Sequence, residues 1–202
     1  MSPTLKVLLA TTNKGKVKEF LGLLIHLEAE ILTPGDLGIK IEVNEAGSTY
    51  AENAALKVNA YNQLAKIPTL ADDSGLEVDA LGGAPGIRSA RYAPKPGATD
   101  ADRRQYLLEQ LRSFPRPWRA RVRWVIASAE TDGTLHFTEG ICEGQIIPEE
   151  RGQGGFGYDP IFLVDGKNQT MAELTSLEKN QLSHRARAIH AARPILQEIL
   201  TR

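Results

Sequence analysis

Residues 5–10 form an apolar run that opens into Thr11-Thr-Asn-Lys-Gly-Lys16 and then into a segment with helical periodicity to about residue 27. A buried strand that passes through a short loop into a helix commits the chain to a sheet covered by helices. The strand's backbone groups need neighbouring strands, and its apolar side chains need an apolar face to meet. The later segments continue in kind. Thr33-Pro-Gly-Asp36 reads as a turn, and residues 39–43 alternate like a short strand before a loop over 44–47. A helix then begins at Ser48 or Thr49, with Glu52 in capping-box spacing, and runs toward Lys66. Residues 67–71 read as the next strand, ending in the acidic turn Asp72-Asp-Ser-Gly75, with 77–80 as its extension. Two glycine- and proline-rich stretches, 82–86 and 94–97, bracket an irregular segment. Asp100 is positioned to cap a helix through Arg112, and residues 118–129 and 134–147 pair as a hairpin around Asp132-Gly133. The glycine-rich loop 152–157, a strand over 161–164 and a largely helical segment over 177–200 complete the chain. The expected fold is α/β, a central mixed sheet flanked by helices, in one domain over residues 1–202.

Charge and composition narrow the function. Lys and Arg number 24 against 25 Asp and Glu, a net charge of −1, so the chain as a whole offers no electrostatic case for nucleic acid or an anionic membrane. An apolar content of 42% supports a substantial core. The single cysteine, Cys142, excludes an internal disulfide and any multi-cysteine metal site, which suits a reducing compartment. The N-terminal apolar stretch is too short to span a bilayer and has no leader-like core, so a cytoplasmic location is expected.

Three stretches carry chemistry. The adjacent acids Asp72 and Asp73 follow an apolar run, and carboxylates are hard oxygen ligands suited to Mg²⁺. The same four residues are also ordinary turn formers. The loop from Thr11 to Lys16 joins a strand to a helix, where backbone N–H groups and the helix dipole favour an anion, with Lys14 and Lys16 as added charges. It is not a Walker A motif, because Ala10 stands where the first glycine belongs and Val17 follows Lys16. The loop from Gly152 to Asp159 allows close backbone approach to a ligand, and Phe156 and Tyr158 either stack on a base or anchor the loop. Lys179, Ser183, His184 and Arg185 add donors near a helix start. Arg119, Arg121 and Arg123 share one face of a strand, with Ala120, Val122 and Trp124 on the other. That pattern reads as a half-exposed strand rather than a nucleic-acid surface.

In order, Ala10-Thr-Thr-Asn-Lys-Gly-Lys16, Glu52-Asn-Ala54, Ala71-Asp-Asp-Ser-Gly75, Gly82-Gly-Ala-Pro-Gly-Ile87 with Ser89-Ala-Arg-Tyr92, Gly154-Gly-Phe-Gly-Tyr-Asp-Pro160 and Ser183-His-Arg185 resemble the inosine triphosphate pyrophosphatase family, in its bacterial dITP/XTP branch. The resemblance covers nearly the whole chain. It implies an elongated mixed sheet with helices forming two lobes around a nucleotide-binding cleft. It further implies a homodimeric, Mg²⁺-dependent enzyme that hydrolyses non-standard purine nucleoside triphosphates such as ITP, dITP and XTP to monophosphate and pyrophosphate. By the same resemblance Thr11, Thr12, Asn13, Lys14, Gly15 and Lys16 cradle the triphosphate, and Lys57 reaches it from the following helix. Asp73 is the catalytic acid position, with Asp72 beside it at the metal and Ser74 touching substrate. Phe156, Gly157, Tyr158, Asp159, Lys179, His184 and Arg185 form the nucleotide and base pocket, and donors from His184 or Arg185 would pair with a 6-oxo purine but not with adenine. The sequence departs from the family at one position. A metal-binding Glu is expected three residues before Gly47, where Asn44 stands, followed by Glu45. Either Glu45 takes over, or the metal is held with one fewer protein charge. A related pyrophosphatase with pyrimidine or modified-base preference and an RNA-binding module built on the Arg-rich strand are the other readings.

Overall fold

The computed structural model describes residues 5–201. Residues 1–4 and 202, which the expected domain and the reading of the N-terminal segment include, lie outside the described residues. The elements are β1 (Lys6–Leu9), α1 (Lys14–Leu23), β2 (Glu30–Leu32), α2 (Tyr50–Ala65), β3 (Thr69–Val78), α3 (Asp100–Leu111), β4 (Trp118–Ala129), β5 (Leu135–Ile146), β6 (Phe162–Val164), α4 (Ser176–Leu182) and α5 (His184–Thr201). The strands form one six-stranded sheet in the order β2-β1-β3-β4-β5-β6. β1 runs parallel to both β2 and β3, whereas β5 and β6 are antiparallel, so the sheet is mixed, as expected. No helix among the described residues is long and apolar enough to cross a membrane.

Local chemistry sets the boundaries. Thr49 caps α2 by accepting the Glu52 N–H at 3.1 Å, and the Glu52 carboxylate accepts from the Ser48 N–H and hydroxyl at 2.6 and 2.7 Å. α3 is capped one residue earlier than expected. Thr99, not Asp100, stands outside the helix, and Asp102 closes a full capping box with it. The long C-terminal helix is in fact two, because Ser183 adopts an extended conformation between α4 and α5. α1 ends at Leu23 rather than near residue 27, and β2 follows, an edge strand too short to stand out in the sequence. Residues 39–43 belong to no strand, although their alternation is real: Ile39, Ile41 and Val43 lie against the core while the residues between them are exposed. The largest correction concerns the acidic turn. β3 is continuous for ten residues through Asp72-Asp73-Ser74-Gly75, so the paired acids are mid-strand.

The chain divides into two compact units. The first comprises Met1–Asp73, Trp124–Gly140 and Arg185–Arg202. Alternation along its strands separates two apolar layers. Val7, Leu9, Leu70, Trp124 and Ile126 meet α1 and α5 residues such as Phe20, Ile189 and Leu196, whereas Leu8, Ala71, Ala127 and Ala129 meet Ala54, Val58 and Tyr61 of α2. Phe20 and Trp124 pack edge to face with centroids 4.6 Å apart, a contact worth about 0.5–1.5 kcal/mol beyond its burial. The second unit comprises Ser74–Arg123 and Ile141–His184, and its core joins Leu76, Val78, Leu107, Leu111, Trp118, Ile161, Phe162 and Met171. The arginine row of β4 is neutralised within this unit. Arg119 pairs with Asp165, Arg121 with Asp79, and Arg123 with Glu77.

Candidate active site

Because β3 runs straight through the paired acids, Asp72 and Asp73 face opposite sides of the sheet. Asp72 turns toward the layer holding Trp124. Its Oδ2 accepts from Lys16 Nζ at 2.5 Å and from the Trp124 indole N–H. Burial would raise this carboxyl, but the charges of Lys16 and Lys57 and the hydrogen bonds from Lys16 and Trp124 outweigh it and hold Asp72 below the ordinary carboxylate value. Read from the sequence as a companion metal ligand, Asp72 is thus engaged by a lysine and an indole.

Asp73 faces α2. Its Oδ2 accepts from Asn53 Nδ2 at 3.1 Å, and its Oδ1 lies 3.9 Å from Lys57 Nζ, which also pairs with Glu45 at 3.3 Å. The other end of the Asn53 amide accepts the Gly47 N–H at 2.9 Å. Gly47 can approach so closely only without a side chain, since a Cβ there would sit 2.7 Å from the Glu52 Cβ. One fully buried amide therefore fastens the loop carrying Asn44 and Glu45 to the Asp73 carboxylate. Burial pushes the Asp73 carboxyl above its ordinary value and Glu45 adds to that, while Lys57, Asn53 and Lys16 oppose it. Two neighbouring acids are thus driven in opposite directions by their surroundings, the arrangement by which carboxylates acquire separate chemical roles.

The β1–α1 loop is shaped by Asn13, whose side chain accepts the Lys16 N–H at 3.1 Å and caps α1, while its own N–H reaches Thr11 Oγ1 at 3.3 Å. No acidic residue occupies the first turn, so the positive end of the helix is not offset locally. Thr11, Thr12 and Lys14 line a pocket of about 450 Å³ with Lys18, Leu21 and Thr33. Gly15 lies in the first turn, and Lys16 leaves the loop to reach Asp72.

In the second unit, Asp159 organises the glycine-rich loop. Its Oδ2 accepts from the Phe156 N–H at 3.2 Å and from Lys179 Nζ at 3.3 Å. Gly155, at φ +81°, passes so close that a Cβ would lie 1.9 Å from that oxygen. Tyr158 is buried, and its hydroxyl donates to the Ser89 carbonyl at 2.9 Å. Of the two roles open to it, anchoring the loop is the one it fills. Ser74 is half-buried on β3, and His184 is the buried first residue of α5. In the first unit, Arg185 places Nε 2.7 Å from Glu19, with its guanidinium 5.7 Å from the Trp124 ring centroid.

The structure thus gathers Lys16 with Asp72, then Lys57, Glu45 and Asp73, and separately Phe156, Asp159 and Lys179. Asn53, Trp124 and Glu19 orient these groups and were missed as site residues. Asn53 had a signal in the sequence: with Tyr50, Ala54, Val58 and Tyr61 it occupies the buried stripe of α2, where it and Asn62 are the two amides.

The chain is 47% identical over 196 residues to a dITP/XTP pyrophosphatase of Desulforamulus reducens, covering 96% of this chain and 97% of that one. It is 45% identical over 188 residues to a dITP/XTP pyrophosphatase of Thermus thermophilus, covering 93% and 89%. Among solved structures, a HAM1 protein from Coxiella burnetii superposes with a TM-score of 0.86 at 40% identity, over 96% of this chain and 100% of that one. A nucleoside-triphosphatase/dITP/XTP pyrophosphatase from Mycobacterium abscessus gives 0.74 at 37% identity, over 95% and 100%. The Ham1 family model matches residues 7–195, and the chain belongs to the Ham1 family.

Proposed function

We propose that this protein hydrolyses non-canonical purine nucleoside triphosphates, ITP, dITP and XTP, to the nucleoside monophosphate and pyrophosphate. The observation that carries the reading is the Asp73 carboxylate, raised by burial and held between Asn53 and Lys57, in a chain whose relatives bear the name dITP/XTP pyrophosphatase. Asp73 takes the proton of the attacking water as its oxygen bonds to the α-phosphorus, and the bond from that phosphorus to the bridging oxygen breaks to release pyrophosphate. Lys14, from the capped first turn of α1, and Lys57 bind phosphate oxygens, and Lys16, oriented by Asp72, joins them. Thr11, Thr12 and Asn13 supply loop donors, with Gly15 letting the backbone come close.

The donor chemistry also fits a divalent cation. Glu45 and Asp73 flank a single ammonium, Lys57, so two hard oxygen ligands already serve one positive charge. Mg²⁺ typically takes one or two carboxylates and completes its shell with phosphate oxygens and water. Glu45 and Asp73 would hold the ion, which supplies charge neutralisation on the phosphates and a more acidic water. Asp72 is assigned to Lys16 instead. Phe156, Gly157, Asp159 and Lys179 form the base side, Tyr158 anchors it, and Ser74 contacts substrate. His184 and Arg185 donate to the 6-oxo group, with Glu19 fixing the guanidinium's orientation. The same reading takes a homodimer as the assembled form and the cytoplasm as its location, in keeping with a single buried cysteine.

The test is a pyrophosphate-release assay over ITP, dITP, XTP, ATP, GTP and a pyrimidine triphosphate, with and without Mg²⁺. Turnover of the first three, lost on chelation and in Asp73→Asn, is expected. Preference for the pyrimidine, or full activity of Asp73→Asn, would refute the reading.

A further inference from the structure

One residue of the glycine-rich loop, Gly157, is held by α3 through both its N–H and its carbonyl, and so through the two peptide groups that flank it. The Gly157 N–H donates to Asp100 Oδ2 at 2.8 Å, and the Gly157 carbonyl accepts from Arg104 Nη1 at 2.8 Å. The remaining edge of the Arg104 guanidinium is spent on Glu150, bidentate at 2.8 and 2.9 Å. The arginine side chain is only 11% exposed, so its bond to the Gly157 carbonyl is largely shielded from water. The helix beneath is a firm base: its capping box fixes the first turn, and Leu107 and Leu111 are fully buried. Gly157 has φ +62°, and a Cβ there would meet nothing within 4 Å, so no neighbour packs against that side of it and these two polar contacts fix its backbone directly. Phe156 precedes it, and Tyr158, tied to Ser89, follows it.

We propose that Asp100 and Arg104 are positioning residues for base recognition, clamping the Gly157 backbone on both sides of its Cα so that the loop from Phe156 to Asp159 presents one fixed surface to the purine. This rests on the assignment of that loop to the base side above. Asp100 bonds to Arg103 and Gly157, and Arg104 to Glu150 and Gly157, none of them a group assigned to the phosphates, so their loss falls on substrate selection more than on turnover. Lysine cannot replace the arginine, because a point charge cannot serve the carbonyl and both Glu150 oxygens together. Asparagine can partly replace the aspartate, since its amide oxygen still accepts the Gly157 N–H.

Steady-state kinetics on ITP and ATP, with kcat and KM separated and melting temperature recorded, test this on Arg104→Ala, Arg104→Lys, Asp100→Ala and Asp100→Asn. Loss of one charge-assisted hydrogen bond predicts about a tenfold rise in KM for ITP, and about a tenfold fall in the ITP/ATP ratio of kcat/KM, for Arg104→Ala, Arg104→Lys and Asp100→Ala. Asp100→Asn is expected within about threefold of wild type. Should Arg104→Ala not fold, Glu150→Ala at the exposed end of the clamp is expected to move the ratio the same way by about threefold. Folded variants that keep the wild-type ITP/ATP ratio, or lose both substrates in parallel, overturn the proposal while wild-type ITP turnover leaves the enzymatic reading standing. A wild-type protein inert on the whole panel overturns both.

Discussion

Lys16→Met isolates the electrostatics beneath the site. The lysine side chain is 14% exposed and its partner Asp72 2%, so the pair is effectively buried. Removing one partner of a buried pair leaves an uncompensated charge and destabilises by about 3–5 kcal/mol. In a chain of this length that corresponds to a melting temperature lower by about 6–20 °C. The deficit has a pH signature. In the wild type the folded-state value of Asp72 lies below its unfolded value. Its contribution is therefore complete above the ordinary carboxylate range and is lost only as pH falls through the depressed folded value. Without Lys16 the largest influence left is burial, which moves the folded value upward. The variant's penalty then grows as pH rises from the ordinary range toward that raised value and shrinks on acidification. Thermal unfolding followed by circular dichroism at about pH 5 and about pH 8 reads this directly. Asp72→Asn in the Lys16→Met background should recover much of the lost stability, since the charge to be compensated is gone. A Lys16→Met protein that melts with the wild type at the higher pH, or whose deficit is the same at both, refutes the reasoning.

Asn53→Leu keeps the volume of the buried amide but removes its donor from Asp73 and its acceptor from Gly47. Activity on ITP should fall by about 10–100-fold, and the acidic limb of kcat/KM against pH should move to higher pH, because Asn53 lowers the Asp73 value. An unmoved limb would show that the amide does not tune Asp73. Gly155→Ala and Gly157→Ala form a matched pair, as both glycines have positive φ, at +81° and +62°. The second should cost about 1–2 kcal/mol of backbone strain, and the first more, since its Cβ would also strike Asp159 and Lys179. Equal melting temperatures for the two variants would contradict this.

What the sequence made legible follows the strength of local signals. β4 has the expected limits of 118–129, because the alternation from Trp118 to Trp124 runs directly into the β-branched, apolar run that follows it. The three residues of β2 carry no such pattern, and their strand character comes from pairing with β1. Asp72-Asp73-Ser74-Gly75 was misread as a turn because its residue types are those of turns, while the long-range pairing of β3 keeps it extended. The site was legible to the same degree. Asp73, Lys57 and Glu45, which only the family resemblance put at one site, lie within ion-pair reach of one another through Lys57, whereas the division of Asp72 to Lys16 and the roles of Asn53 and Glu19 depend on contacts between residues far apart in the chain.

The straight course of β3 past its two acids has a consequence for how relatives and variants are judged. A strand has a reading frame of two, and inserting or deleting one residue between Thr69 and Asp72 would exchange the surroundings of the acids while leaving the Asp-Asp pair intact in the sequence. The first aspartate would meet the amide and lysine of α2, and the second the indole. An alignment that scores only the presence of the pair would pass such a chain as complete. The spacing from the strand's start to the acids is therefore as much a part of the signature as the acids themselves.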